Sequence, residues 1–190
     1  MTTLVEKVLA VEAALREADV PHAFGGALAL AFHIAEPRGT RDIDVNVFVG
    51  APRASAVFGA LPAEVAWGDG DVQRVDRDGQ VRLFWDDTPV DVFFSTHAFH
   101  VRAAEHVEQV PFSGELIPVL GASELAVFKA FFDRTKDWAD IEAMIDAKSL
   151  DVHAVLGWLV DLLGSDDSRV ERFRDVMARA APDREPRFDP

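Results

Sequence analysis

The sequence predicts an α+β protein, a small mixed or antiparallel sheet flanked by helices with a helical C-terminal part. Three observations carry that expectation. Arg41–Val49 alternates polar and apolar residues in the strict period of a strand. Further apolar runs bounded by turn residues are interleaved with helical patterns over residues 1–120. From residue 121 onward only helical patterns follow, which argues for a helical part, 121–180, packed on an α+β core.

Leu4–Ala18 has apolar side chains at helical spacing and ends near Asp19 and Pro21. His22-Ala23-Phe24 is a short extended run that stops at Gly25-Gly26, and Ala27–Ile34 has the composition of a buried helix. Pro37 and Gly39 break the chain before the alternating strand. In that strand Ile43, Val45, Val47 and Val49 face one side, while Asp42, Asp44 and Asn46 face the other. Arg53–Leu61 suits a short helix. Val72–Val75 and Val81–Trp85 read as two strands of a hairpin, joined by a loop containing Asp78-Gly79. Asp86–Pro89 is a second turn leading into the strand Val90–Phe94, and Glu115–Leu120 is a further strand. Helical patterns then cover Ser123–Arg134, with Ser123 as the expected N-cap, Trp138–Ala147, Val152–Leu163 and Ser168–Ala180. Residues 181–190, rich in proline and charge, are expected to have little order.

Composition narrows the function classes. The 190 residues lack cysteine, which removes disulfides and thiolate chemistry. No apolar run is long enough to span a bilayer, and the first residues do not read as a signal peptide, so a cytoplasmic protein without membrane contact is expected. The net charge of −14 disfavours nucleic acid as a bulk partner. Arg169, Arg172, Arg174, Arg179, Arg184 and Arg187 alternate with acids and read as a solvated helix face and tail. His97 and His100 lack a third ligand at zinc-like spacing, and His33 reads as a core histidine.

The candidate chemistry lies in three places. Gly25-Gly26, between a strand and a helix, lets backbone approach a ligand closely and offers helix N-terminal N–H groups to phosphate. Asp42 and Asp44, two apart on a strand, point their carboxylates to one side. Asp91 is a lone acid in the apolar run Val90–Phe94, where an adjacent strand adds a third carboxylate. Hard cations such as Mg²⁺ take oxygen ligands and bridge carboxylates to substrate phosphates.

The combination Phe24-Gly25-Gly26, Arg41-Asp42-Ile43-Asp44 and Val90-Asp91-Val92 resembles the signature of the polymerase-beta-type nucleotidyltransferase superfamily. With Ala27–Leu30, His33, Pro37–Thr40 and the later Ser123-Glu124-Leu125, Lys129, Arg134, Lys136-Asp137 and Asp140-Ile141, it is most similar to minimal bacterial members. These are the AbiEii-like and MenT-like toxin nucleotidyltransferases. The likeness runs from about Phe24 to Ile141, and the interval from the glycine pair to Asp42 is longer than in many antibiotic-modifying members.

The resemblance implies a nucleotidyltransferase fold and transfer of a nucleoside monophosphate from an NTP to an acceptor hydroxyl, with Mg²⁺ or Mn²⁺ as cofactor. It implies that Asp42, Asp44 and Asp91 hold the metal, Asp91 either as ligand alone or also as base. Gly25 and Gly26 cradle the triphosphate, Lys129 contacts phosphate, and Asp137 orients Lys129 or meets the nucleotide. Arg38, Thr40 and Arg41 precede the acidic strand and are either phosphate contacts or a polar loop. Arg134 and Lys136 are phosphate contacts or partners of Asp133, Asp137 and Asp140. The acceptor stays open between an RNA 3′ end, a protein and a small molecule such as an antibiotic, and an antitoxin is a possible partner. A non-catalytic nucleotide- or partner-binding module is the competing class.

Overall fold

The computed structural model describes residues 2–36 and 39–180. Pro37, Arg38 and the tail 181–190, with Arg184 and Arg187, lie outside the described residues. The chain divides into two compact units. One holds the chain up to Phe32 together with Glu36–Gly121, and the other holds His33–Ala35 and the chain from Ala122 on.

The first unit is built on a seven-stranded mixed sheet. In chain order its strands are β1 (His22–Phe24), β2 (Ile43–Val47), β3 (Val65–Ala66), β4 (Gln80–Trp85), β5 (Thr88–Phe94), β6 (Val107–Phe112) and β7 (Glu115–Leu120). Across the sheet the order is β3-β4-β5-β2-β1-β7-β6, with β2–β5 and β1–β7 parallel and the other pairs antiparallel. Its helices are α1 (Leu4–Glu17), α2 (Gly26–His33), α3 (Ala54–Ala60), α4 (Asp69–Asp78) and α5 (Phe99–Glu105), with a 3-10 turn at Ala51–Arg53. This is the α+β architecture that the sequence pattern predicts.

Helix α1 starts in a reciprocal cap. The Glu6 N–H donates to Thr3 Oγ1 at 3.2 Å, and the Thr3 N–H donates to the Glu6 carboxylate at 2.7 Å. Its buried face carries Val8, Val11 and Leu15, and also Lys7. The Lys7 ammonium, 2% exposed, donates to the Trp85 carbonyl at 2.8 Å and to Thr88 Oγ1 at 3.0 Å, and lies 3.3 Å from Asp86. Lys7 therefore clamps the tip of the β4–β5 hairpin. That hairpin has a two-residue loop, Asp86-Asp87, because Trp85 pairs with Thr88, and Asp86 takes the left-handed conformation at φ 53°. On β4 and β5 the residues Val81, Leu83, Trp85, Val90, Val92 and Phe94 are buried. The alternate residues Gln80, Arg82 and Phe84 are exposed and Asp91 and Phe93 are half-buried, so one face is core and the other is open.

Several expected elements are corrected. Val72–Val75 is not a strand but the middle of α4. Here the Asp71 carboxylate accepts from the Gly68 N–H at 3.0 Å and from Arg74 at 2.8 Å. Gly79 is that helix's left-handed C-cap, φ 69°, rather than part of a hairpin loop, and its N–H donates to the Val75 carbonyl at 2.8 Å. Val72 and Val75 stand one helical turn apart, which puts them on one side of a helix and would put them on opposite sides of a strand. The stretch without a sequence assignment contains α5 and β6, and β6 joins β7 through Ser113-Gly114, both at positive φ.

The second unit packs α6 (Ala122–Phe132), α7 (Thr135–Asp146), α8 (Val152–Leu163) and α9 (Ser168–Ala180). Its core includes Leu125, Trp138, Ile141, Met144, Leu159 and Phe173. Ser123 lies inside α6 and does not cap it. Its Oγ accepts from the Asp151 N–H at 3.0 Å instead, ahead of α8. Of the described late arginines, Arg169 pairs with Asp167, Arg172 with Asp133 and Arg179 with Glu142, and Arg174 donates to the Ser165 carbonyl.

Two outcomes follow from this packing. Lys7→Met removes the clamp, with its hydrogen bonds to the Trp85 carbonyl and Thr88 Oγ1. It is expected to lower stability by about 2 kcal/mol, read as a lower urea midpoint at unchanged slope; an unchanged midpoint would mean the clamp contributes nothing. His100, buried in α5 beside His97, has its imidazole pushed down from 6.5 to about 4, first by burial and then by the His97 charge. Its contribution is full above pH 6.5 and is lost as pH falls through about 4, because the unfolded chain binds the proton first. The urea midpoint of the wild type should therefore fall more steeply between pH 6.5 and 4 than that of His100→Gln, and parallel curves would assign the acid sensitivity to other groups.

Candidate active site

The site is assembled by strand register. Parallel strands β2 and β5 pair with Asp44 opposite Asp91, so the two Cα atoms stand about 4.8 Å apart, the ordinary strand spacing, with side chains on the same face. Antiparallel β4 pairs with β5 so that Arg82 stands opposite Asp91. Three neighbouring strands thus present Asp44, Asp91 and Arg82 in a row on the open face.

Gly25 and Gly26 close the other side of Asp44. The Gly25 N–H donates to the Asp44 carbonyl at 2.9 Å, continuing the β1–β2 ladder past its last paired residue. Gly26 opens α2 in the left-handed conformation, φ 54°. A side chain at Gly26 would fall on the Asp44 carboxylate, so the glycine is required twice, by conformation and by contact. At Gly25 the nearest obstacle would be the Asn46 amide nitrogen, 2.8 Å away. Asn46, expected to continue an exposed polar face, is buried against this glycine.

Asp42 precedes β2 in a turn held by Thr40. Thr40 Oγ1 accepts from the Asp42 N–H and donates to the Asp42 carbonyl, both at 3.2 Å. Thr40 and Asp42 are half-buried and Arg41 is exposed. Arg38 lies outside the described residues.

The electrostatic centre of the row is a residue that the sequence reading did not single out. The Arg82 guanidinium grips both oxygens of Asp91, Nε to Oδ1 and Nη2 to Oδ2, each at 2.7 Å. Its pKa is raised first by that hydrogen bond, then by the Asp91 charge, with Asp42 and Asp44 adding to it. Three carboxylates therefore act on one cation. Among the described residues no three acidic or histidine side chains are gathered closely enough to hold a metal ion. In kind the donor set still fits a hard divalent cation: all its ligands are carboxylate oxygens, and two of them are fixed side by side by strand register. A positive charge is already drawn to the place.

Lys129 and Asp137 belong to the second unit. Lys129, 5% exposed, donates to Asp140 at 2.7 Å and lies 3.8 Å from Asp137. The fully buried Asp137 accepts from Arg134 at 2.6 and 3.1 Å. Lys129, Asp137 and Asp140 are buried, and the exposed Arg134 completes a network of balanced charge from outside. Lys129 thus has carboxylate partners of its own, and Arg134 takes the carboxylate-pairing alternative.

A cavity of about 760 Å³ lined by Glu12, Arg16, His22, Phe48, Gln109 and Leu116, among others, is separate from this row. His22 pairs with Val47, whose side chain is on the face of β2 opposite Asp44.

No protein-family model matches the chain, and no curated protein matches it in sequence. Solved structures do. The solution structure of the antibiotic-resistance factor ANT(2'')-Ia is similar over 94% of this chain and 92% of its own, at 15% identity and a TM-score of 0.55. A crystal structure of ANT(2'')-Ia in complex with adenylyl-2''-tobramycin covers 92% of this chain and 98% of its own, at 15% identity and a TM-score of 0.59. The chain shares the fold of ANT(2'')-Ia. Within it, Gly25-Gly26, the acidic strand β2 and the strand β5 stand in the order that the sequence motif anticipates.

The two glycines give a direct test of the packing. Gly26→Ala is expected to cost about 2 kcal/mol through the positive φ alone, with displacement of Asp44 added to it. Gly25→Ala, with ordinary φ, meets the ends of two side chains, the Asn46 amide and a Leu120 methyl, and is expected to cost less. Urea denaturation of both variants decides, and a larger loss at Gly25 would refute the contact described for Gly26.

Proposed function

We propose that the chain transfers a nucleoside monophosphate from an NTP to a hydroxyl group of a separate acceptor, in a reaction dependent on Mg²⁺ or Mn²⁺. The observation that carries this reading is the register pairing of Asp44 with Asp91 beside the Gly25-Gly26 turn. The motif resemblance and the fold support it. Asp42, Asp44 and Asp91 are the residues that would hold the cation. When bound, such a cation neutralises triphosphate charge and lowers the pKa of a hydroxyl brought to it.

The remaining work falls to the chain itself. Gly25 and Gly26 let Asp44 and Asn46 close in on the turn, and the N–H groups at the start of α2 suit the charge of a phosphate brought beside it. Thr40 and Arg41 are assigned to the triphosphate from their place just before β2. The acceptor oxygen attacks the α-phosphorus, the bond to the β-phosphate oxygen breaks, and pyrophosphate leaves. The acceptor proton passes to a carboxylate, for which Asp91 is the candidate. Lys129 and Asp137 are already paired with Asp140 and Arg134, and the reading does not depend on their meeting the nucleotide.

For the acceptor we favour a cationic small molecule. The net charge of −14 attracts polyamines and repels RNA, and one solved neighbour is bound to adenylyl-2''-tobramycin. The toxin-like motif supports the other reading, an RNA 3′ end or a protein acceptor with an antitoxin partner.

The test is incubation with each α-labelled NTP and Mg²⁺ or Mn²⁺, against a panel of hydroxylated polyamines and, separately, a cell extract containing RNA and protein. Wild type is expected to label a polyamine, and Asp44→Asn to be slower by about a hundredfold or more while remaining folded. Label made sensitive to nuclease or protease would select the toxin-like reading. Metal-dependent NTP binding without transfer to any acceptor would indicate a binding module, and absence of NTP binding would refute the proposal.

A further inference from the structure

Asp91 is half-buried, and both of its oxygens are committed to Arg82 in a fork-to-fork pair across adjacent strands. This geometry gives the guanidinium its best hydrogen bonding and spends the Asp91 charge on it. The placement is not a chance of side-chain reach. The two-residue Asp86-Asp87 loop sets the β4–β5 register, the register sets Arg82 opposite Asp91, and the β2–β5 register sets Asp44 on the other side of Asp91. The Arg82 side chain is 54% exposed whereas that of Asp91 is 15% exposed, so the arginine can swing into solvent while the carboxylate stays. Asp42 and Asp44 act on the same guanidinium through their charges.

A divalent cation at these carboxylates would meet a resident positive charge a few ångströms away. Both cannot draw on Asp91 fully, because the charge that attracts the cation is already neutralised by the arginine. We propose that Arg82 is the resident counter-ion of the carboxylate row: it occupies Asp91 in the free protein and is displaced when a divalent cation binds. The proposal rests on the reading of Asp42, Asp44 and Asp91 as a cation site. It adds a positioning residue that lowers cation affinity in the absence of nucleotide and holds Asp91 aimed along the open face until the cation arrives.

A purely structural cross-strand pair makes different predictions, which separates the two. The measurement is titration of the full chain with Mn²⁺ alone, followed by the loss of free Mn²⁺ signal in electron paramagnetic resonance. It compares wild type, Arg82→Gln, Arg82→Lys and Asp44→Asn. Displacement predicts that Arg82→Gln binds Mn²⁺ about tenfold tighter than wild type. Arg82→Lys keeps the charge but loses the fork, and should fall between them; Asp44→Asn should bind more weakly. In a protein labelled with ¹⁵N-arginine, the Arg82 Nε–H resonance should move toward that of a solvated guanidinium as Mg²⁺ is added.

Equal or weaker Mn²⁺ binding by Arg82→Gln, with Asp44→Asn still impaired, would overturn the Arg82 proposal and leave the cation site standing. Absence of Mn²⁺ binding in wild type and Arg82→Gln alike, or wild-type binding by Asp44→Asn, would sink the cation site and the Arg82 proposal together. If circular dichroism shows that Arg82→Gln is unfolded, Arg82→Lys and the Nε–H resonance decide. An Nε–H signal unmoved at saturating Mg²⁺ refutes displacement.

Discussion

Two carboxylates one strand spacing apart on a half-buried sheet face repel each other, and the arrangement lasts only where positive charge reaches them. That constraint organises the first unit. Asp44 and Asp91 are brought together by the parallel β2–β5 pairing, and Arg82 arrives from β4 on the far side. The glycine turn gives Asp44 the space a side chain would have taken. Even Lys7, remote in sequence, serves the same end by tying α1 to the hairpin whose arms carry Arg82 and Asp91.

Much of the fold was legible because local and non-local preferences agree. The alternation of β2 and the long helices α8 and α9 each satisfy one periodicity and no other, and β7 reads as a short apolar run too brief for a helix. Reading failed where a segment is short or polar. Helix α4 buries only Val75, so its evidence is the Asp71 cap and the Gly79 stop rather than an apolar stripe. Strand β6 has Val110 as its one buried residue and contains Pro111, which suppresses the strand signal at a sheet edge where proline is tolerated.

The site was legible in its acids and glycines and illegible in its counter-charge. Asp42, Asp44 and Asp91 stand out as acids among β-branched and aromatic residues. Arg82 sits in an ordinary alternating strand, and its importance depends on a partner nine residues away. The signal existed nonetheless. Once Asp86-Asp87 is recognised as a two-residue loop, three steps back along each arm lead to Arg82 and Asp91. Assigning Asp78-Gly79 to a competing hairpin drew β4 toward the wrong neighbour and hid that count. Lys129 shows the reverse: its charge was visible, but its burial against Asp140 is a property of helix packing that spacing does not encode.

The two hairpins of the sheet differ in what their loops must preserve. Ser113-Gly114 joins β6 and β7 at the sheet edge, apart from the row of charges, so this connection is where the chain would accept a graft or new termini. Asp86-Asp87 has the same length and the opposite character. A one-step slip of β4 against β5 there would turn Arg82 to the core side of the sheet, while Leu83 or Val81 faced water. A surface loop, usually the freest part of a protein to vary in length, is here a ruler.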